Sequence, residues 1–164
     1  MAVTTKRFAG AVLAASAAVL GAALLSQYWG GLTPCELCLL ERAPWWVAIG
    51  IAVATLLFAR QLALPSGAML LALVFLASTA LGFYHVGVEQ HWFAGPAACT
   101  ASGAPAASVD ALRAQLHGKQ AVMCDEVQWS LFGVSLAGWN MIASAVMAAA
   151  CIEAARRSRR VRFA

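Results

Sequence analysis

The sequence predicts an all-α membrane protein: a four-helix transmembrane bundle, N-in/C-in, with two external loops. Three observations carry that prediction. Hydrophobic residues make up 62% of the 164 and charged residues only 11%, far below the roughly 25% charged residues of an average soluble domain. The apolar residues fall into four blocks instead of being spread along the chain. The basic residues collect at alternate ends of those blocks.

The blocks place spans at about 8–28, 40–59, 64–84 and 131–151. Phe8 to Tyr28, Leu64 to Tyr84 and Leu131 to Cys151 carry no Asp, Glu, Lys or Arg, and each meets the need for about 20 apolar residues to cross a ~30 Å hydrocarbon core. The second block is shorter. From Pro44 to Ala59 it reaches about 24 Å, and it attains about 33 Å only if counted from Cys38, so the helix or its lead-in turn is expected to begin at the cysteines. Pro44 lacks an N–H and disfavours helix at Ala43, which predicts a break between Arg42 and Pro44. The first block follows Lys6 and Arg7 as a signal peptide would, but its apolar run exceeds the roughly 7–15 residues of such a segment and no cleavage segment follows. It reads as an anchor.

Orientation follows from the basic residues. Lys6, Arg7, Arg60, Arg156, Arg157, Arg159, Arg160 and Arg162 fall on one side, and Arg42, Arg113 and Lys119 on the other. The positive-inside rule puts the first set in the cytoplasm. The net charge of +4 is then a topology anchor beside anionic lipid, and no nucleic-acid partner is needed to explain it.

This orientation leaves external loops at about 29–39 and 85–130. Cys35 and Cys38 lie in the first, Cys99 and Cys124 in the second, while Cys151 is at the cytoplasmic end of the last span. Disulfides persist outside the cytoplasmic membrane and rarely in the cytosol, so a pair on each loop suggests two disulfides able to exchange. The stretch from Gly95 to Pro105 is small and turn-rich, which predicts an exposed Cys99. Ser108 to His117 reads as a short helix, capped by Ser108, with Val109, Leu112 and Leu116 on one face against the membrane surface or against protein.

Thiolate is the nucleophile of disulfide exchange, and a Cys-x-x-Cys beside a cation or a helix start has a lowered pKa. If the turn is helical, Cys38 and Arg42 are four residues apart on one face, and the guanidinium can stabilise a Cys38 anion. The competing reading is a zinc site. Against it, 24 residues separate Cys99 from Cys124, so there is no second close pair, and no metal is expected. Haem is disfavoured because His85 alone lies near a span end.

Four stretches together resemble the bacterial disulfide bond formation protein B (DsbB) family: Pro34-Cys-Glu-Leu-Cys-Leu-Leu-Glu-Arg42 after the first span, Tyr84-His-Val-Gly-Val-Glu89 after the third, a cysteine about fourteen residues on, and Cys124-Asp-Glu-Val-Gln-Trp-Ser-Leu-Phe-Gly133 before the fourth. The resemblance covers nearly the whole chain. It implies an inner-membrane thiol:quinone oxidoreductase, with periplasmic loops, that reoxidises a DsbA-like periplasmic thiol oxidase and reduces ubiquinone or menaquinone. By that resemblance the partner attacks Cys99, Cys124 exchanges with Cys35, and Cys38 is freed as the thiolate that gives electrons to the quinone. Arg42, His85 and Glu89 fall at the family's quinone-site positions, with Glu89 where the best-known member has Gln. A paralogue with a dedicated substrate and a zinc-binding membrane module are the alternatives.

The other polar and aromatic residues have plainer expectations. His91 and His117 read as loop histidines, and Trp29, Trp45, Trp46, Trp92 and Trp129 as interfacial anchors. Cys151 reads as a buried small apolar residue. Gly133, Ala137 and Gly138 read as sites of close helix packing.

The orientation can be checked directly. An impermeant thiol reagent applied to reduced spheroplasts is expected to label single-cysteine variants retaining Cys35, Cys38, Cys99 or Cys124, and to spare one retaining only Cys151. Labelling of Cys151 would reverse the topology.

Overall fold

The structure is a computed structural model that describes residues 2–58, 64–96, 99, 108–109 and 122–163, with the side chains of 2–3 and 159–163 left out. The turn carrying Arg60, most of the Gly95 to Pro105 stretch, all but the first two residues of the expected surface helix, and Arg113 and Lys119 lie outside the described residues. The elements are α1 (Ala2–Tyr28), α2 (Glu36–Leu40), α3 (Ala43–Leu57), α4 (Leu64–Glu89), a hairpin of β1 (Ser130–Leu131) and β2 (Val134–Ser135), and α5 (Leu136–Phe163).

Four helical segments are long and apolar enough to cross a membrane: Thr4–Tyr28, Glu36–Leu57, Leu64–Glu89 and Leu136–Ser158. The four-helix arrangement expected from the apolar blocks is therefore present, with different ends. The second segment starts at Glu36, directly after Cys35, and is interrupted at Glu41 and Arg42, just before the break that Pro44 predicts. The Arg42 N–H bonds three residues back to the Leu39 carbonyl at 3.2 Å, and the regular four-residue step resumes at Trp46, which donates to Arg42. Ala43 is nonetheless helical, with Pro44 in the first turn of α3, where its missing N–H leaves no intrahelical bond unmade. The third segment runs to Glu89 because nothing in Val86-Gly-Val88 stops it; the chain turns only at His91, where φ is 59°. His85 and Glu89 are thus helical residues and not part of a loop.

The fourth segment begins five residues later than the apolar block. Residues 130–135 form a two-stranded antiparallel hairpin pairing Ser130 with Ser135 and Leu131 with Val134. Its turn holds Phe132 at φ 54° and Gly133 at φ 78°, the left-handed region that glycine tolerates and β-branched residues do not. Gly133 serves this turn and not helix packing, contrary to the sequence expectation.

Small residues are prominent in the interior beside Trp45, Phe75 and Leu71: Ala9, Ala48, Ala52, Ala68, Ala72 and Ala148 are all at most 2% exposed. Leu57, Leu70, Leu73, Phe83 and Val146 point outward, each at least half exposed. That bias suits a lipid surround, where helices gain by close backbone approach and not by expelling water. α4 packs most extensively against α5, α1 against α3, and α3 against α4. Ser78 and Ser144 hydroxyls bond at 2.8 Å across α4 and α5, and Trp45 meets Phe75 edge-on at 5.1 Å across α3 and α4. Trp45 is 1% exposed, so of the five expected interfacial tryptophans this one is a core residue. Cys151 is fully buried and free.

Gly82 sets the α4–α5 approach. A Cβ there would lie 3.0 Å from Met141 Cβ and 3.1 Å from its Cα, whereas one at Gly50 meets nothing within 4 Å. Gly82→Ala is expected to lower stability in detergent by about 1–3 kcal/mol through overpacking. Gly50→Ala should be neutral or slightly stabilising. Thermal unfolding of the two variants side by side checks this.

Candidate functional site

The site grows from the start of α2. Cys35 is extended (φ −74°, ψ 174°) and caps the helix, its Sγ accepting the Cys38 N–H at 3.1 Å. The helical turn that follows brings Cys38 back over Cys35, and the two form a disulfide with Cα atoms 5.1 Å apart. Cys99 and Cys124 form a second, with Cα atoms 5.3 Å apart, joined also by the Cys124 N–H donating to the Cys99 carbonyl. Cys35, Leu37, Val88, Cys99 and Cys124 pack in one buried cluster, with Cys38, Tyr84 and Val122 against it. The two disulfides therefore share a single apolar core at one end of the bundle. Cys99 is 2% exposed, which corrects the expectation of an accessible cysteine. Packing onto the end of α4 outweighs the turn-rich composition around it.

Behind Cys35 is a buried polar array. His85 on α4 places Nε2 3.6 Å from Cys35 Sγ and Nδ1 2.8 Å from Glu41 Oε1. The other Glu41 oxygen accepts from Asn140 Nδ2 at 3.0 Å, and Asn140 Oδ1 accepts from Trp45 Nε1 at 2.8 Å. With Glu41 ionised, its carboxylate can only accept, so His85 carries a hydrogen on Nδ1 and turns Nε2 to the sulfur. Glu41 is 6% and His85 2% exposed. Sequence reasoning missed Glu41 and Asn140. The available signal was Glu41 itself, an acid inside an apolar span, since ionisable residues within such segments face the bundle interior and mark function.

Arg42 does not turn to Cys38. Its Nη1 donates to Gln27 Oε1 on α1 at 2.7 Å, so the guanidinium ties the α2–α3 junction to the first helix. Glu89 accepts from Ser135 Oγ at 2.5 Å, and that hydroxyl also accepts the Gly138 N–H at 3.1 Å. The hairpin is thereby fixed to the end of α4. Cys35, Cys38, Glu41, Arg42, His85 and Glu89 all line one cavity of about 350 Å³ whose walls are mostly apolar. That is within the roughly 300–1,000 Å³ of small-molecule sites, which are typically apolar with a few placed polar groups. The structure therefore brings together every candidate residue around one apolar recess, apart from the Cys99–Cys124 pair packed behind it.

The chemistry this allows is thiol–disulfide exchange between two adjoining pairs, beside a pocket that admits an apolar molecule. A family model described as "Disulfide bond formation protein DsbB" matches residues 5–154. A protein named "Disulfide bond formation protein B 2" from Pseudomonas savastanoi pv. phaseolicola is 31% identical over 142 residues, covering 79% of this chain and 75% of that protein. No solved structure matches the chain. With four membrane-length helices, two adjoining disulfides and a match spanning nearly its whole length, the chain belongs to the DsbB family of disulfide-forming membrane oxidoreductases.

Proposed function

We propose that the chain is an inner-membrane thiol:quinone oxidoreductase that reoxidises a periplasmic DsbA-like thiol oxidase, with both termini cytoplasmic and the cysteine pairs on the periplasmic side. The observation that carries this reading is the Cys35–Cys38 disulfide, which lies between an apolar cavity and the cluster holding Cys99–Cys124. One pair can take electrons from a protein while the other passes them to a molecule dissolved in the membrane.

A partner thiolate attacks Cys99, breaking the Cys99–Cys124 bond and leaving Cys124 as thiolate; the partner's second thiol then releases it as a disulfide. Cys99 is buried, so this attack requires the second pair to lift from the Val88 and Leu37 surface. Cys124 attacks Cys35, which frees Cys38, and Cys99 closes the second disulfide again. Cys38 is only half-buried and lines the cavity, which suits it as the outgoing thiolate. The residues fit a quinone: apolar walls for the ring and tail, and the Arg42 guanidinium at the cavity wall. Ubiquinone or menaquinone bound there supplies a two-electron, two-proton acceptor. Arg42 stabilises negative charge in a poorly solvated setting, and His85, oriented by Glu41, can hold a proton at Nε2 beside Cys35.

The decisive experiment is anaerobic quinone reduction driven by a reduced periplasmic dithiol protein. Stoichiometric quinol with no added oxidant is expected; absence of quinol formation overturns the reading. Mixed with the oxidised partner, Cys124→Ser should accumulate a mixed disulfide between Cys99 and the partner, formed as the Cys99 thiolate opens the partner's disulfide and visible on non-reducing gels, while Cys151→Ala should turn over normally. Trapping on Cys35 instead would reverse the electron path.

Arg42→Lys, which keeps the charge but loses the planar fork, is expected to be partly active with a raised KM for quinone. Arg42→Ala should lose about 2–4 kcal/mol of transition-state stabilisation if it acts as an oxyanion donor does. Both should still form Cys99–Cys124 on chemical oxidation. Wild-type kinetics in Arg42→Ala would reduce the arginine to a tether for Gln27.

A further inference from the structure

We propose that the reduced Cys35–Cys38 pair and His85 form a three-ligand site for a thiophilic d10 cation, of which Zn²⁺ is the test case, and that its capture arrests the enzyme in the reduced state. Among the described residues, Cys35, Cys38 and His85 form the one group of three possible metal ligands whose donor atoms all lie within 4.8 Å of one another. The arrangement differs from the zinc site considered from sequence, since the ligands come from one cysteine pair and a helix, not from all four cysteines. The metal is an inhibitor of one redox state and not a resident cofactor.

The geometry is specific. Zinc binds cysteine sulfur at about 2.3 Å and histidine nitrogen at about 2.0–2.1 Å in a tetrahedron, which separates the two ligand atoms by about 3.6 Å. Cys35 Sγ and His85 Nε2 are 3.6 Å apart. The Cys-x-x-Cys turn at the start of a helix is a common zinc chelate, and two cysteines plus one histidine leave a fourth position open, as in catalytic zinc sites. All three ligands line the cavity.

The outer contacts fit as well. A metal-bound histidine almost always gives its other ring N–H to a carboxylate or carbonyl, which fixes the ring and raises its basicity. His85 Nδ1 is 2.8 Å from Glu41, and Glu41 is held in turn by Asn140 at 3.0 Å. Two thiolates cancel the charge of a divalent cation, so the ion and its three ligands are together neutral. Arg42, the nearby cation, is directed to Gln27. In the disulfide state the sulfurs are bonded to each other and are poor ligands. Two electrons and two protons convert them to thiols, and zinc then displaces both protons; in the membrane the reductant is the partner dithiol. The arrest alone rests on the function proposed above, because metal binding needs neither partner nor quinone.

The test uses detergent-purified full-length Cys151→Ala protein, stripped of quinone and reduced by a phosphine, which becomes the phosphine oxide. After gel filtration with Zn²⁺ and a weak competing chelator, metal analysis should find one zinc per reduced chain and none in oxidised protein. Cys99→Ser/Cys124→Ser should keep the one equivalent. His85→Gln should bind at least tenfold more weakly, and Glu41→Gln about 10–100-fold more weakly. Cd²⁺ should give the ultraviolet thiolate-to-metal band in the same stoichiometry. No retained zinc in the reduced protein, equal retention when oxidised, or wild-type affinity in His85→Gln overturns the proposal. Zinc-free enzyme that fails to reduce quinone would overturn the proposed function instead, leaving the stoichiometry to stand or fall by itself.

Discussion

A carboxylate inside an apolar bundle must be satisfied on every side, and the site around Glu41 is arranged by that constraint. Removing a charge from water costs several kcal/mol unless hydrogen bonds replace hydration. Here His85 from α4 and Asn140 from α5 take one oxygen each, and Trp45 from α3 holds Asn140 in turn. Three membrane helices are therefore registered by a single acid at the junction of α2 and α3. His85 is consequently held with Nε2 toward Cys35. Polar networks of this kind fix geometry more than they add stability, provided every member is partnered.

Much of the fold was legible because a bilayer imposes simple rules. The lengths of the apolar blocks and the absence of charge within three of them announced the helices, and Pro44 announced the break before α3. The ends were less legible. The Tyr84 boundary was set by where apolar residues thin out, yet Val86-Gly-Val88 offers no stop signal and α4 continues to Glu89. At the other boundary, Leu131 and Val134 read as part of a helix by hydropathy, but the left-handed turn at Phe132 and Gly133 places them in a hairpin.

The site was legible where chemistry is local and obscure where it is tertiary. Cys35, Cys38 and Arg42 were visible from their spacing, but the direction of Arg42 depends on Gln27 of another helix, which no spacing encodes. Cys99 looked exposed because its neighbours are turn formers; its burial comes from Val88 and Leu37, distant in sequence. Asn140 stands among apolar residues and acquires meaning only once α5 is set beside Glu41.

The bias of size across the bundle, with alanines and serines prominent around a few large core residues such as Trp45, Phe75 and Leu71 and many leucines outward, has an evolutionary consequence. A soluble core of large side chains fails mainly by losing atoms, since truncation leaves cavities. This interior has few atoms to lose outside a handful of positions such as Trp45, Phe75 and Leu71. Its weak points are positions where volume is gained, so harmful change should enter through substitutions at alanine, serine and glycine facing the bundle axis, while the lipid-facing surface drifts freely among apolar residues of any size. The family's history would then be written as a narrow interior of small residues inside a variable greasy coat.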